Sequence, residues 1–182
     1  MRKSLVAATT VLAFAVLATA CGGDVSSPGP QRPPSSVTAA EGDHNERDVT
    51  FVRQLVPHLS EVRDLAKLVP SRSTNPAVRD LAARIGRSQN PDMQQLMRWL
   101  FMWGVEYVPE TDNKAIQQLQ QVDDAQFDRM WTQMTVDRHE RAIAVAKAEL
   151  ENGRNPAVRQ FARKIVDTRQ AEIVEMRKLM RS

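Results

Sequence analysis

Cysteine occurs once in this chain, at Cys21, so no disulfide can form within it. Runs of alternating apolar and polar residues between turn signals are missing, which excludes a sheet-based fold. There is no glycine-rich phosphate loop and no Ser, His and Asp set that the sequence brings together, and once Cys21 is set aside no thiol remains for nucleophilic chemistry. The positive excess is small. The formal charge of +3 includes Arg2 and Lys3, and without that pair it falls to +1, too little for a nucleic-acid-binding surface. The chain is not expected to be an enzyme.

What is present begins with an export signal. Arg2-Lys3 is a charged start, Leu5 to Leu17 an apolar core too short to stay as a membrane anchor, and Ala18-Thr19-Ala20 a small-residue cleavage site. Leu17-Ala18-Thr19-Ala20-Cys21 resembles the lipobox of bacterial lipoproteins, which implies cleavage before Cys21 and acylation of its thiol. Residues 21–42 carry Pro28, Pro30, Pro33 and Pro34 among glycines and serines and almost no large apolar residue, so they are expected to be a disordered tether. Residues 43–182 remain as a single domain of ordinary size. The location expected is extracytoplasmic, with the membrane as a partner through the lipid on Cys21.

The domain is a repeat. Asn75-Pro76-Ala77-Val78-Arg79 returns as Asn155-Pro156-Ala157-Val158-Arg159, and the offset of 80 also pairs Asp48 with Asp128, His58 with Arg138, Leu59 with His139 and Asp92 with Glu172. A gapless offset of that length marks one supersecondary unit used twice, over about residues 44–103 and 124–180. Each unit is two helices. Val52, Leu55, Leu59, Val62, Ala66 and Val69 step by three and four, as a bundle seam does. Asn75 and Asn155 are N-caps followed by proline at the first helical position, while Gly104 and Gly153 are expected to close the preceding helices. Pro57 removes one backbone hydrogen bond from the first helix. A longer crossover, about residues 105–123, holds a short helix from Lys114 to Leu119. The expectation is an all-α, ferritin-like four-helix bundle of two repeated pairs joined by one long crossover.

The seam is interrupted twice by polar residues at equivalent places. Val78, Ala82 and Ile85 lead to Gln89 and Asp92 before Leu96, and Val158, Ala162 and Ile165 lead to Arg169 and Glu172 before Met176. Counting along the helices puts His58 level with Ser88 and His139 level with Arg169, roughly 22 Å from the loops, with Met134 one turn deeper. Asp92 and Glu172 against Arg138 and Arg169 would make a layer that is neutral without metal. Such a network fixes register more surely than it adds stability. Met93, Met97, Met130 and Met180 read as core filler. A di-iron centre would need Glu-x-x-His pairs on two helices, and no helical segment here carries one.

Phe51 to Leu59, Gln89-x-x-Asp92-Met93-x-x-Leu96, Trp131-x-x-Met134-x-x-x-Arg138-His139-Glu140 and Arg169-x-x-Glu172-Ile173-x-x-Met176 together resemble the bacterial family known as domain of unknown function 305. The resemblance implies a ferritin-like bundle, often exported or lipid-anchored, with a Met and a His-His pair in each half and Gln-x-x-Glu-Ile-x-x-Met one helix later. It also implies copper handling, because imidazole and thioether suit Cu(I). His44, His58, Met134, His139, Glu172 and Met176 stand at its ligand-type positions. The chain departs from it at Leu59, Asp92, Leu96, Arg138 and Arg169, and two arginines beside a bound cation would repel it. Two readings follow: an interaction or structural module whose metal site has degenerated, with no cofactor, or a copper-binding protein.

Overall fold

A computed structural model of the chain describes residues 43–108 and 113–181. The export signal, Cys21 and the tether lie outside the described residues, as do positions 109–112 of the crossover and Ser182. The described chain is helical throughout. Helix α1 spans Glu46–Arg72, α2 Pro76–Met102, α3 Lys114–Gln121, α4 Asp124–Asn152 and α5 Pro156–Leu179. Four long helices form a bundle: α1 pairs with α2, α4 pairs with α5, and α1 lies directly on α4. Helices α2 and α5 meet through longer side chains, such as Trp99 edge-on to Phe161 at 5.4 Å between ring centroids.

Local chemistry explains where the helices start and stop. Asn75 and Asn155 cap α2 and α5, each side chain accepting from the amide two residues on, with proline at the first helical position. Asn45 caps α1 in a reciprocal box with Asp48. Helix α2 ends in a Schellman turn: Val105 N donates to Leu100 O at 2.9 Å and Gly104 N to Phe101 O at 3.1 Å. Gly104 sits at φ 65°, where a side chain would be strained. Gly153 also ends its helix, but for another reason. Its φ of −69° suits any residue, whereas a Cβ there would overlap the Glu149 carboxyl packed against it.

Helices α1 and α2 continue through Pro57, Pro70 and Pro91, the tertiary packing outweighing each missing donor. The core runs the length of the bundle, and Val52, Leu55, Leu59, Val62, Ala66 and Val69 are all inside it. The short helix α3 seats Leu119 in that core. Arg72 then ties the end of α1 to the start of α4. Its guanidinium reaches Asp124 at 2.8 Å and the carbonyls of Gln120 and Val122, and lies over the Phe127 ring. Met93 packs against the core as expected. Met97, Met130 and Met180 do not, since each is more than a third exposed on an outer face.

Candidate functional site: the central polar layer

Midway along the bundle, side chains from α2, α4 and α5 meet. Arg169 of α5 is 1% exposed, and the seam residues Ile165, Ile173 and Met176 around it are buried. Its Nη1 donates to Glu172 Oε2 at 2.7 Å, its Nη2 donates to Gln89 Oε1 at 3.2 Å, and Asp92 Oδ2 lies 3.8 Å from the same Nη2. Gln89 in turn donates to Ile85 O at 3.1 Å. Gln89 and Arg169 are equivalents in the two repeats, so this bond crosses the pseudo-twofold relation between them.

Asp92 has a second cation. Lys164 Nζ lies 2.5 Å from its Oδ1, approaching from the exposed flank of α5. Two carboxylates therefore face two cations, and the layer is neutral by itself. The cations are Arg169 and Lys164. Arg138, which the sequence suggested for this role, is engaged elsewhere: its Nε donates to Glu61 Oε2 at 2.8 Å and its Nη1 to Met134 O at 3.3 Å. The reason is helical geometry. Neighbours on a helix differ by about 100° in direction, so with His139 turned to the centre Arg138 must lie on the flank against α1. His58 and Leu59 divide the same way in α1, Leu59 inward and His58 half-buried on the flank. Lys164 was missed because it stands outside the seam, and only its four-carbon stem lets the charge reach in.

His139 is buried, with Nε2 2.9 Å from Glu172 Oε2 but without a properly aligned hydrogen bond. Burial, reinforced by the Arg169 charge, lowers the His139 pKa in spite of Glu172. Burial alone would raise Glu172, yet the contacts with His139 and Arg169 prevail and hold it below the usual carboxylate range. The resting pair is neutral imidazole beside carboxylate. His58 is also lowered, first by partial burial and then by Arg141 and Arg138, against Glu61.

The remaining sequence candidates divide. Met176 is fully buried one turn beyond Glu172, and Met134 is partly buried on α4. His44 precedes α1 and stacks on Trp103 with ring centroids 4.5 Å apart, about 20 Å along the axis from the layer. The six ligand-type residues are thus not gathered in one place. Among the described residues no cluster of three or more His, Cys, Asp or Glu side chains has metal-binding geometry. The carboxylate nearest His139 is already held by a guanidinium. A resident copper ion does not fit the residues as arranged, although the imidazole of His139, which faces Glu172, is a donor of the right kind.

Fold and site together define a class: an all-helical bundle of two repeated pairs, closed at its centre by a buried ion network. The chain belongs to the family described as domain of unknown function 305, whose sequence profile matches residues 48–180. Solved structures agree. The family fragment from Deinococcus radiodurans is 26% identical with a TM-score of 0.68, covering 75% of this chain and 96% of that one. A family protein from Streptomyces coelicolor described as secreted is 22% identical with a TM-score of 0.67, covering 73% and 89%. CopM in its Cu(I)-bound form is 22% identical with a TM-score of 0.67, covering 74% and 95%. CopM has also been solved with Cu(II) and with silver. No curated protein sequence matches the chain.

Proposed function

We propose that this chain is an exported lipoprotein, anchored outside the cytoplasmic membrane through Cys21, whose bundle is a non-enzymatic structural or interaction module of the cell envelope. Its central layer is held by the chain's own cations in place of a metal. One observation carries the reading: the buried Arg169 guanidinium bonds Glu172 and Gln89 and faces Asp92, so the layer's acids are already neutralised. A relative described as secreted supports the location. Replacing Cys21 with Ser should shift the protein from the membrane to the soluble or uncleaved fraction, and an unchanged membrane pool of cleaved protein would refute the anchor.

Copper binding is the second reading, favoured by the buried imidazole of His139 and by the buried thioether of Met176. Its ligands would be Met134, His139 and Met176, and it would prefer Cu(I) to Zn(II). Titration of the full chain with Cu(I) against a competing chelator, then with Zn(II), decides between the two. The wild type should show no Cu(I) binding above a blank, and Arg169→Gln, checked for folding by circular dichroism, should acquire it. A tight one-to-one Cu(I) complex in the wild type, lost in His139→Ala, would establish the copper reading instead.

A further inference from the structure

A cleft of about 610 Å³ opens on the face where α1 and α4 pack, and no residue of the buried Arg169 network lines it. Arg53, Pro57 and His58 come from α1, Arg141 and Val145 from α4, and Tyr107 from the start of the crossover. Its volume lies in the range of small-molecule sites, which bury an apolar body and fix it with a few polar groups. Here the polar groups are of one sign. Arg53 and Arg141 are exposed and, among the described residues, neither has a carboxylate partner. On α1, Glu61 stands one turn beyond Pro57 and is bonded to Arg138 at 2.8 Å, and on α4, Asp137 stands one turn before Arg141 and accepts from Gln133 at 2.8 Å. Partial burial, helped by the positive charges of Arg141 and Arg138, lowers the His58 pKa against the opposing charge of Glu61.

We propose that this cleft binds an amphipathic organic anion, its carboxylate or phosphate head between the Arg53 and Arg141 guanidinium groups and its apolar body against Pro57, Tyr107 and Val145. Guanidinium forks match the planar acceptor pairs of such heads, and an exposed pair with no carboxylate partner among the described residues presents both forks. Pro57 and Val145 offer the apolar wall, with Tyr107 supplying an aromatic face. The ligand class is independent of whether the central layer takes a metal.

Tyr107 is the chain's single tyrosine, so its ring signals in a carbon-proton NMR spectrum report on this cleft alone. In the full chain, 1-naphthoate should shift those signals with a Kd of about 1 mM or below, and the pair Arg53→Gln and Arg141→Gln should weaken it at least about tenfold without lowering the melting temperature. Inorganic phosphate, which has the head without the body, and 1-naphthalenemethanol, which has the body without the charge, should each bind at least about tenfold more weakly. Arginine-dependent sedimentation with phosphatidylglycerol vesicles would show that a lipid supplies the head, and naphthoate binding without such sedimentation would show a soluble anion. The proposal is overturned if naphthoate binding survives the double substitution, if the neutral alcohol binds equally well, or if nothing binds at about 10 mM. It is also overturned if binding arises only after Glu110→Gln and Asp112→Asn, since the arginines would then be partners of the chain's own acids.

Discussion

The two repeats share a backbone plan and differ in the charges set into it. Where the first repeat puts Leu59, Gln89 and Asp92 at the centre, the second puts His139, Arg169 and Glu172 at the equivalent positions, and all six side chains face inward. The ends differ too. Asp48 is buried and accepts from three backbone amides, Asn45 at 2.7 Å, Arg154 at 3.2 Å and Asn155 at 2.9 Å, which clamps the start of α1 to the α4–α5 loop. Its equivalent Asp128 has a buried Oδ1 with no partner. Duplication therefore fixed which positions point inward, and later substitution decided which carry charge. The centre is neutral only when both halves are counted, so neither half would make a satisfied layer alone.

The sharpest way to break this comparison is to remove the cation that the second repeat contributes. Arg169→Ala leaves Asp92 with Lys164 alone and Glu172 with no cation, their side chains 5% and 12% exposed around a guanidinium that is itself 1% exposed. It should destabilise by about 3–5 kcal/mol in urea unfolding. Arg138→Ala removes a neighbour of equal charge, but its pair with Glu61 sits at 12% and 28% side-chain exposure. That loss should be about 1 kcal/mol. Equal losses for the two variants would mean that the centre is no more buried, in energetic terms, than the flank.

This contrast also marks what the sequence could reveal. The offset of 80 and the three-four stepping were enough for the helix pairs, the caps at Asn75 and Asn155, and the inward direction of Gln89, Asp92 and Arg169, because backbone periodicity alone dictates them. Partners were harder to read. Lys164 stands in the layer where Arg138 was expected, since charge pairing depends on the angle around the helix and the reach of the side chain, and seam counting resolves neither. Glu149 reads alone as one more surface acid, and only its place opposite the seam residue Val69 in the first repeat marks it as inward-facing. Gly153 was placed correctly at a helix end for a wrong reason, its role being to make room for that same Glu149.

A smaller effect separates the two ends of the bundle. Asp48→Ala removes one acceptor from three amides and should cost about 3 kcal/mol, with faster amide exchange at Arg154 and Asn155. Asp128→Ala removes a carboxylate whose Oδ1 is already unsatisfied, and should change stability by less than about 1 kcal/mol. Similar losses at both sites would erase the distinction between a clamped end and an unclamped one.

The smallest effect per step, and the one with a sign to be tested, concerns Glu149. It is wholly buried, no donor reaches either oxygen, and it lies against Asp48. Burial, then the proximity of Asp48, pushes its pKa up to about 8, against the opposing charges of Arg47 and Arg159. In the unfolded chain the same group titrates near 4.5. Between those values the folded protein binds a proton that the unfolded one does not, so Glu149's contribution is fully present below pH 4.5 and is lost as the pH rises to 8. The slope approaches about 1 kcal/mol per pH unit. His139 and Glu172 act in the opposite sense, because their lowered values make acid unfavourable to the fold. Both remain in Glu149→Gln, so subtracting that variant from the wild type cancels them. Urea unfolding at pH 5, 7 and 9 should give a difference that moves against the wild type as the pH rises, with the variant the more stable at pH 9. A difference independent of pH would mean that Glu149 ionises as freely in the fold as in water, and that this end of the second repeat holds no buried acid pair.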